Sequence, residues 1–573
     1  MPSYASATPI VPTIGEPSFA DVAHAVEVAS DLTADKKRYW LSALRKVAVY
    51  LEKPPVVIPA RIAAIRSIVA MLHPEKLGVH PKTFANHRAN VRGALLWFNR
   101  QTLGTGRGAP VAANYRVLLG LIRDRHVGDV LSPFFRYLTG RRIDPDDVID
   151  ADVERFLLNC RETGFGKVTP ARHRLLVRLW NKSASAIGSW PTRRLTEPPL
   201  RQRAGTPWGE VPAGLRADID NYCTHLASRR KSANGRTLRP CAASTIATRR
   251  RELIATVRAA IVAGIDISDL QRLDALLRPD RVEAIIDHYW RKNGVRPSLY
   301  TIDLASKLFA LARGRGGITS ADLERLDEIR LIVEGHRPTG LTDKNRELVR
   351  QVLRSGVWGK VMALPDSLMA RARADLETRP ARSSVTALLA VAIRLLVIAP
   401  IRMQNLGAIR IGVNLVRPGG KLAPYLLVFP DYDVKNRVPL EFPIDLATTE
   451  LIDEYIHIFR PHLMRGRDHE NLFPGVAQDK KATRGLAEQI SARLWKELGL
   501  EITPHQFRHA AAAIMLQHDP GNYEWVRRVL GHRNIQTTIN FYVGLETAEA
   551  TRKFGEMIMA AEPAVAPRRM RGP

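Results

Sequence analysis

Three cysteines in 573 residues exclude a disulfide scaffold, and Cys160, Cys223 and Cys241 form neither a CxxC pair nor a zinc spacing. So sparse and odd a count fits a reducing compartment and small buried hydrophobes. Long apolar runs are lacking too. The most apolar stretch, Val385 to Ile401, contains Arg394 and Pro400 and is too short to span a bilayer. It is expected to be a core helix of a soluble protein without membrane partners. The opening MPSYASATPIVPTIGEP has neither the basic start nor the apolar centre of a signal peptide. Acidic residues are in short supply: 57 Asp and Glu face 86 Lys and Arg, a formal net charge of +29.

The arginines run along the whole chain and are not held in one tail, so a long basic surface is expected, with nucleic acid as its natural partner. A generally arginine-rich proteome would give the same charge. The length allows three or four domains. Residues 1–18, rich in Pro, Ser and Ala, are expected to be disordered. Apolar residues at three- and four-residue spacing then mark helical blocks at 19–103, 112–192 and 208–335, with hardly any strand signal. GTGRGAP and PTRRLTEPPLRQRAGTPWG separate them as linkers. A last domain spans 341–562, before a basic tail at 563–573.

Each helical block holds one related stretch. Thr83, Thr169 and Thr245 stand at expected N-caps, with Arg88, Arg174 and Arg250 five residues on and Arg92, Arg178 and Arg258 behind them. For any one copy ordinary capping with a solvated charged face is the better reading; the recurrence in three blocks points to DNA-facing helices.

The last block has a different composition. Ser383 and Ser384 are expected to cap the apolar helix that leads to Pro400, and Arg402 heads the next one. YLLVFPDYDVKNRVPLEFPI carries the one convincing sheet signal, with Val438, Leu440, Phe442 and Ile444 alternating. Pro439 and Pro443 confine that strand to an edge, and Lys435 falls in the turn before it. The fold is thus expected to be mainly α with a small β-sheet.

TPHQFRHAAAAIMLQHDPGNYEWVRRVLGHRNIQTTINFY, from Thr503 to Tyr542, organises the chain. Thr503 reads as an N-cap and Pro504 as the first helical residue. His505 and Arg508 then share a face, being three residues apart. A second helix carries Trp525, Val526, Val529 and Leu530 and ends at Gly531, just before His532. Tyr542 follows a helix that starts at Gln536-Thr537-Thr538. Cations that hold a phosphate, imidazoles that manage protons and a phenol that attacks are the chemistry of a phosphodiester. His505 and His509 have a helical spacing that zinc sites also use, but Gln506 stands where a zinc hydrolase needs glutamate. A metal site is therefore not expected, and His509 and His518 read as structural.

HQFRH, VLGH and TTINFY together resemble the C-terminal signature of the tyrosine recombinases, the phage integrase family. The resemblance implies an α+β catalytic domain behind helical DNA-binding domains, the third block standing for the core-binding domain. It also implies that Arg402 and Arg508 bind the scissile phosphate and that His505 and His532 belong to the active site. Lys435 would be the general acid and Tyr542 the nucleophile of a 3′-phosphotyrosine intermediate, with no metal, ATP or other cofactor. Lys421 and Lys480 compete weakly with Lys435 for its role.

The implied protein is the integrase or transposase of a mobile element, in the bacterial cytoplasm at the nucleoid. It would close as a C-shaped clamp on double-stranded DNA and act as a homo-tetramer on two sites, with an accessory DNA-bending or excision factor as a further partner. Phe554, Met557 and Ile558 form the last helix's apolar face, which in relatives docks on a neighbouring subunit and otherwise packs on its own core. The sequence departs from the family twice. Tyr542 lies one residue further from the LGH histidine than usual, with Phe541 in the customary place, and Asn405 replaces a frequent glutamate. A non-cutting DNA-binding regulator, a type IB topoisomerase and, more distantly, a metal-dependent nuclease are the alternatives.

Overall fold

Ser18 starts the first helix by reciprocal capping: the Asp21 amide donates to its hydroxyl at 3.4 Å, and its own amide donates to the Asp21 carboxylate at 2.8 Å. From there helices α1 to α4 (Phe19–Val28, Ala34–Tyr50, Ile62–Val69 and Pro81–Phe98) turn one apolar face inward. Phe19, Val22, Leu44, Val47, Ile65 and Leu95 form their core. Helices α5 to α8 (Ala113–Leu121, Arg125–Gly140, Asp150–Thr163 and Pro170–Ala186) close around Phe134, Phe135, Phe156 and Trp180. The two layers touch: Phe165, just after α7, joins the first core, and Arg66 Nε donates to Gly164 O at 2.8 Å.

The computed structural model describes the chain except residues 1–15, 101–108, 167, 200–205, 232–234, 236, 295, 316, 339, 355, 465, 467–469, 476–482, 543–550, 552–553 and 559–573. Most of the expected N-terminal disorder, the first linker, Lys480 and the basic tail therefore lie outside the described residues. The chain divides into two compact units, residues 1–199 with 343–573, and residues 200–342.

Within the first unit the N-terminal helices are fastened to the C-terminal part. His73 Nε2 donates to Lys496 O at 3.2 Å, and the ring meets Trp495 edge-on at 5.2 Å. Lys360 pairs with Glu75 nearby. Gly499 has a φ of +64°, and a Cβ there would lie 2.6 Å from His73 Nδ1, so only glycine fits.

The second unit contains α9 to α14 (Ala213–Ala227, Ala243–Val262, Leu273–Leu276, Pro279–Asn293, Leu299–Arg313 and Ser320–Glu334) and a short hairpin of β1 (Arg230–Lys231) and β2 (Thr237–Leu238). Ile219, Val257, Ile285, Ile302 and Leu308 are among its buried residues.

The C-terminal part begins with α15 (Asp343–Val352) and α16 (Val357–Asp375), which lead into α17 (Pro380–Ile398). Every residue of α17 from Ala387 to Ile393 is buried, so it is the central post of this core. It is the one described helix that is long and apolar enough to cross a membrane. Next come α18 (Met403–Gly407), β3 (Leu415–Val416), β4 (Leu426–Phe429) and β5 (Leu440–Pro443). The strands form an antiparallel sheet in that order, with Leu427 opposite Phe442. β5 is an edge, where Pro443 removes no needed donor. Helices α19 to α24 (Leu446–Glu454, Pro461–Met464, Thr483–Leu498, Gln506–His518, Tyr523–Leu530 and Ile535–Tyr542) complete it.

Several helix starts differ from expectation. Pro81 takes the first position of α4 and the His80 ring caps it, so Thr83 lies inside the first turn. Thr245 likewise lies inside α10, which starts at Ala243, whereas Thr169 does cap α8. Ser383 and Ser384 are interior to α17; their hydroxyls donate to Ala372 O and Pro380 O at 2.5 and 2.7 Å. In each case an upstream residue had already set the helical backbone, and the two serine hydroxyls took carbonyls instead.

Candidate active site

Thr503 to Gln506 forms a turn ahead of α22 in place of the expected cap. Gln506 N donates to Thr503 O at 2.9 Å, while the Gln506 side chain accepts the Thr503 amide at 2.8 Å. This turn puts His505 at the open edge and Arg508, one helical turn on, in the interior. Arg508 is 3% exposed, and its two terminal nitrogens donate to Pro400 O and Leu530 O, both at 2.6 Å. Pro400 precedes Arg402 by two residues, and Leu530 precedes His532 by two. One guanidinium thus gathers three chain segments that are remote in sequence.

Arg402 flanks α18, half-buried, and its Nη1 is a buried donor without a partner. Burial lowers its pKa. That of Arg508 falls to about 10, by burial first and then by the charge of Arg402. Two guanidiniums that repel each other, one with an idle buried N–H, form a site suited to an anion.

His532 follows α23 through Gly531, which ends the helix in the left-handed conformation at φ 60°. A Cβ on Gly531 would lie 2.8 Å from Leu440 Cδ2 of the edge strand, so the position tolerates nothing larger. The Asn436 amide donates to Gly531 O at 3.0 Å, tying the β4–β5 connection to this corner. Lys435, next to Asn436, is exposed. Asn405 is buried, and its amide donates to Asp433 O at 3.2 Å, supporting the same connection.

Helix α24 starts at Ile535, with the Asn534 side chain accepting from Gln536 N, so the expected start at Gln536 is one residue late. Thr538 is interior, its Oγ1 2.9 Å from His532 Nδ1. Tyr542 ends the helix 2% exposed, whereas Phe541 is 45% exposed, and this difference separates the two by direction. Tyr542 Oη lies 3.0 Å from His509 Nδ1. Burial pushes the phenol up to about 12, against the pull of Arg508.

The three imidazoles are all depressed in pKa. His505 is lowered by desolvation, Arg508 and Arg402. His532 reaches about 4 through desolvation, then Arg508, Arg402 and Arg527. His509 also reaches about 4, through desolvation, His505, Arg508 and His532. All three are neutral at pH 7. The unfolded chain binds protons at His509 and His532 near 6.5, while the folded protein refuses them until about 4. Stability therefore rises with pH across that window and is lost on acidification through it. Thermal melts from pH 7 to pH 4.5 are expected to show a falling Tm below pH 6.5, and the fall should be smaller in His532→Asn.

Sequence reasoning missed His509, Thr538, Asn436 and Asn345 as parts of this site; only the adjacency of His509 to Arg508 was a signal. The six expected residues divide plainly. Arg402, His505, Arg508, His532 and Tyr542 lie close enough for Arg508 to shift or be shifted by each of the others, and Lys435 stands exposed on the turn beside Asn436. The distal arginines are more varied. Arg88 turns inward, stacked over Phe84 and Phe165 at 5.7 and 5.6 Å, with a buried, unpartnered Nε. Arg258 donates to Thr206 O, Arg250 pairs with Asp220 and Arg178 with Glu197. Arg92 and Arg174 are half-buried. Phe554, Met557 and Ile558 are exposed. Among the described residues no group of three or more His, Cys, Asp or Glu is placed to hold a metal ion.

Solved structures with partial likeness include the XerH site-specific recombinase bound to difH substrate in a pre-cleavage complex. It shares 14% identity over 59% of this chain and 93% of that one, at a TM-score of 0.28. The Tn1549 transposon integrase in complex with a circular intermediate DNA shares 13% over 60% and 98%, at 0.32. The XerA recombinase shares 14% over 60% and 97%, at 0.24. None of the curated proteins compared matches the chain. Residues 367–549 match the phage integrase family, and that segment holds Arg402, Lys435, His505, Arg508, His532 and Tyr542. Over this segment the chain is similar to the phage integrase family, in agreement with the motifs its sequence carries.

Proposed function

We propose that the protein is a site-specific DNA recombinase, the integrase or transposase of a mobile element, working on double-stranded DNA at the nucleoid. The observation that carries this reading is the coupling of Tyr542, two unneutralised arginines and two neutral histidines: burial and then the charges of Arg508 and Arg402 depress His505 and His532, and Arg508 acts on Tyr542. A chain that only binds DNA has no use for a buried phenol beside two guanidiniums.

In the proposed reaction Arg402 and the remaining N–H groups of Arg508 hold the non-bridging oxygens of the scissile phosphate. Tyr542 Oη attacks phosphorus and forms the new O–P bond as the bond to the 5′ oxygen breaks. The phenolic proton passes to the neutral imidazole of His505, and the Lys435 ammonium supplies a proton to the departing 5′ oxygen. His532, its Nδ1 turned to Thr538, has Nε2 for a phosphate oxygen. One phosphodiester replaces another, so rejoining by an incoming 5′ hydroxyl needs no ATP and no metal.

A DNA duplex is the partner in this reading, which the formal net charge of +29 supports. Residues 208–335 are proposed as the core-binding domain, with Arg174 and Arg92 as phosphate contacts of the first two blocks. Assembly as a homo-tetramer on two sites, through Phe554, Met557 and Ile558, and an accessory bending or excision factor belong to the same proposal.

The test uses nicked duplexes carrying candidate attachment sites, in EDTA. A protein–DNA adduct that survives SDS is expected. Tight binding to the same DNA with no adduct would overturn the reading in favour of a non-cutting regulator.

A further inference from the structure

A hydrogen-bond chain behind Tyr542 determines which nitrogen of His509 carries its proton. It starts at the Thr503 amide, which is a donor only, so the Gln506 atom 2.8 Å away is the carbonyl Oε1. Gln506 Nε2 is then the outward donor, and it meets Asn345 Oδ1 at 3.0 Å. Asn345 therefore presents Nδ2 to His509 Nε2, at 3.3 Å. An amide N–H there requires Nε2 to accept, and a neutral imidazole with an accepting Nε2 carries its proton on Nδ1. That Nδ1 lies 3.0 Å from Tyr542 Oη.

We infer that His509 is a catalytic residue that donates its Nδ1–H to the phenol oxygen of Tyr542, stabilising the phenolate that forms on attack and leaves on rejoining. Asn345 and Gln506 are positioning residues that hold its tautomer. The inference rests on the recombinase reading of this site. His509 is neither acid nor base in it: its proton stays on Nδ1 throughout, and the phenolic proton leaves toward the open side, where His505 stands. His509 is 6% exposed, so its bond to the oxygen acts away from water, where a donor aimed at developing charge is worth most. The burial that raises the phenol's pKa gives the donor its purpose.

The experiment measures single-turnover adduct formation on nicked duplexes for full-length wild type, His509→Phe, His509→Asn and Asn345→Asp, with DNA affinity and Tm alongside. Phenylalanine keeps the ring and removes the donor; asparagine keeps an N–H where Nδ1 was. His509→Phe is expected to be slower by about 100-fold at unchanged DNA affinity, and His509→Asn to stay within about tenfold of wild type. Asn345→Asp turns the donor at Nε2 into an acceptor and draws the proton off Nδ1. It is expected to slow the step by about tenfold, and remains informative if His509→Phe does not fold.

A His509→Phe enzyme at wild-type speed would overturn the donor role. So would equal losses in the Phe and Asn variants, because an N–H restored in that place would then restore no activity. Asn345→Asp at wild-type speed would overturn the tautomer argument. No adduct in wild type would instead remove the recombinase reading beneath it.

Discussion

Tyr542→Phe is expected to abolish the SDS-resistant protein–DNA adduct while DNA affinity stays at the wild-type level. The phenol oxygen is the one group at this point that is able to form a stable bond to phosphorus without a metal. Stability should change little: one buried hydrogen bond to His509 is lost, about 1 kcal/mol. The choice between neighbouring aromatics is the sharper part. Phe541 occupies the position that family spacing reserves for the tyrosine, yet it is 45% exposed against 2% for Tyr542. Consecutive helical residues point about 100° apart, so the extra residue rotates the phenol onto the inner face. The exchanged variant Phe541→Tyr/Tyr542→Phe should therefore remain inactive. An adduct in either variant, located by peptide mapping of the attached nucleotide, would assign attack to another residue.

Arg508→Lys is expected to lower the rate of adduct formation by at least about 1,000-fold and to destabilise the fold as well. The second effect distinguishes it from Arg402. Arg508 satisfies Pro400 O and Leu530 O inside the protein, and a lysine cannot span both from one nitrogen. The buried carbonyl left wanting costs about 1–3 kcal/mol. Arg402 has an idle Nη1 and sits against another cation, so Arg402→Gln should lose catalysis to a similar extent with stability held or slightly raised. Chemical denaturation and single-turnover trapping of both variants separate the roles. Equal destabilisation by the two would contradict the division between a gathering and a purely phosphate-facing arginine.

Local features of the site were legible in the sequence because local geometry creates them. The three-residue step from His505 to Arg508, glycine as the stop before His532, and the alternation from Val438 to Ile444 with prolines at an edge all rest on helix, cap or strand periodicity. Caps were less legible where several residues competed. Pro81 and His80 outbid Thr83, and Asn534 outbid Gln536, because the first residue able to satisfy the free amides sets the start. The three threonine–arginine stretches looked alike in sequence. Their arginines met different neighbours: aromatic rings at Arg88, a backbone carbonyl at Arg258, acidic partners at Arg178 and Arg250.

The sequence by itself determined the chemistry available to this protein: which cations, imidazoles and phenol it carries, in what order, and on which turns and helices. Tertiary structure decided what each of them touches. His509 read as structural and His505 as catalytic, because nothing in HQFRH says which ring meets a tyrosine 33 positions on. Asn345 is 161 residues from Gln506 and has no local signal at all. Periodicity places a side chain on a face of its own element; only packing brings two elements together, and hydrogen-bond partners, proton positions and pKa values follow from that packing.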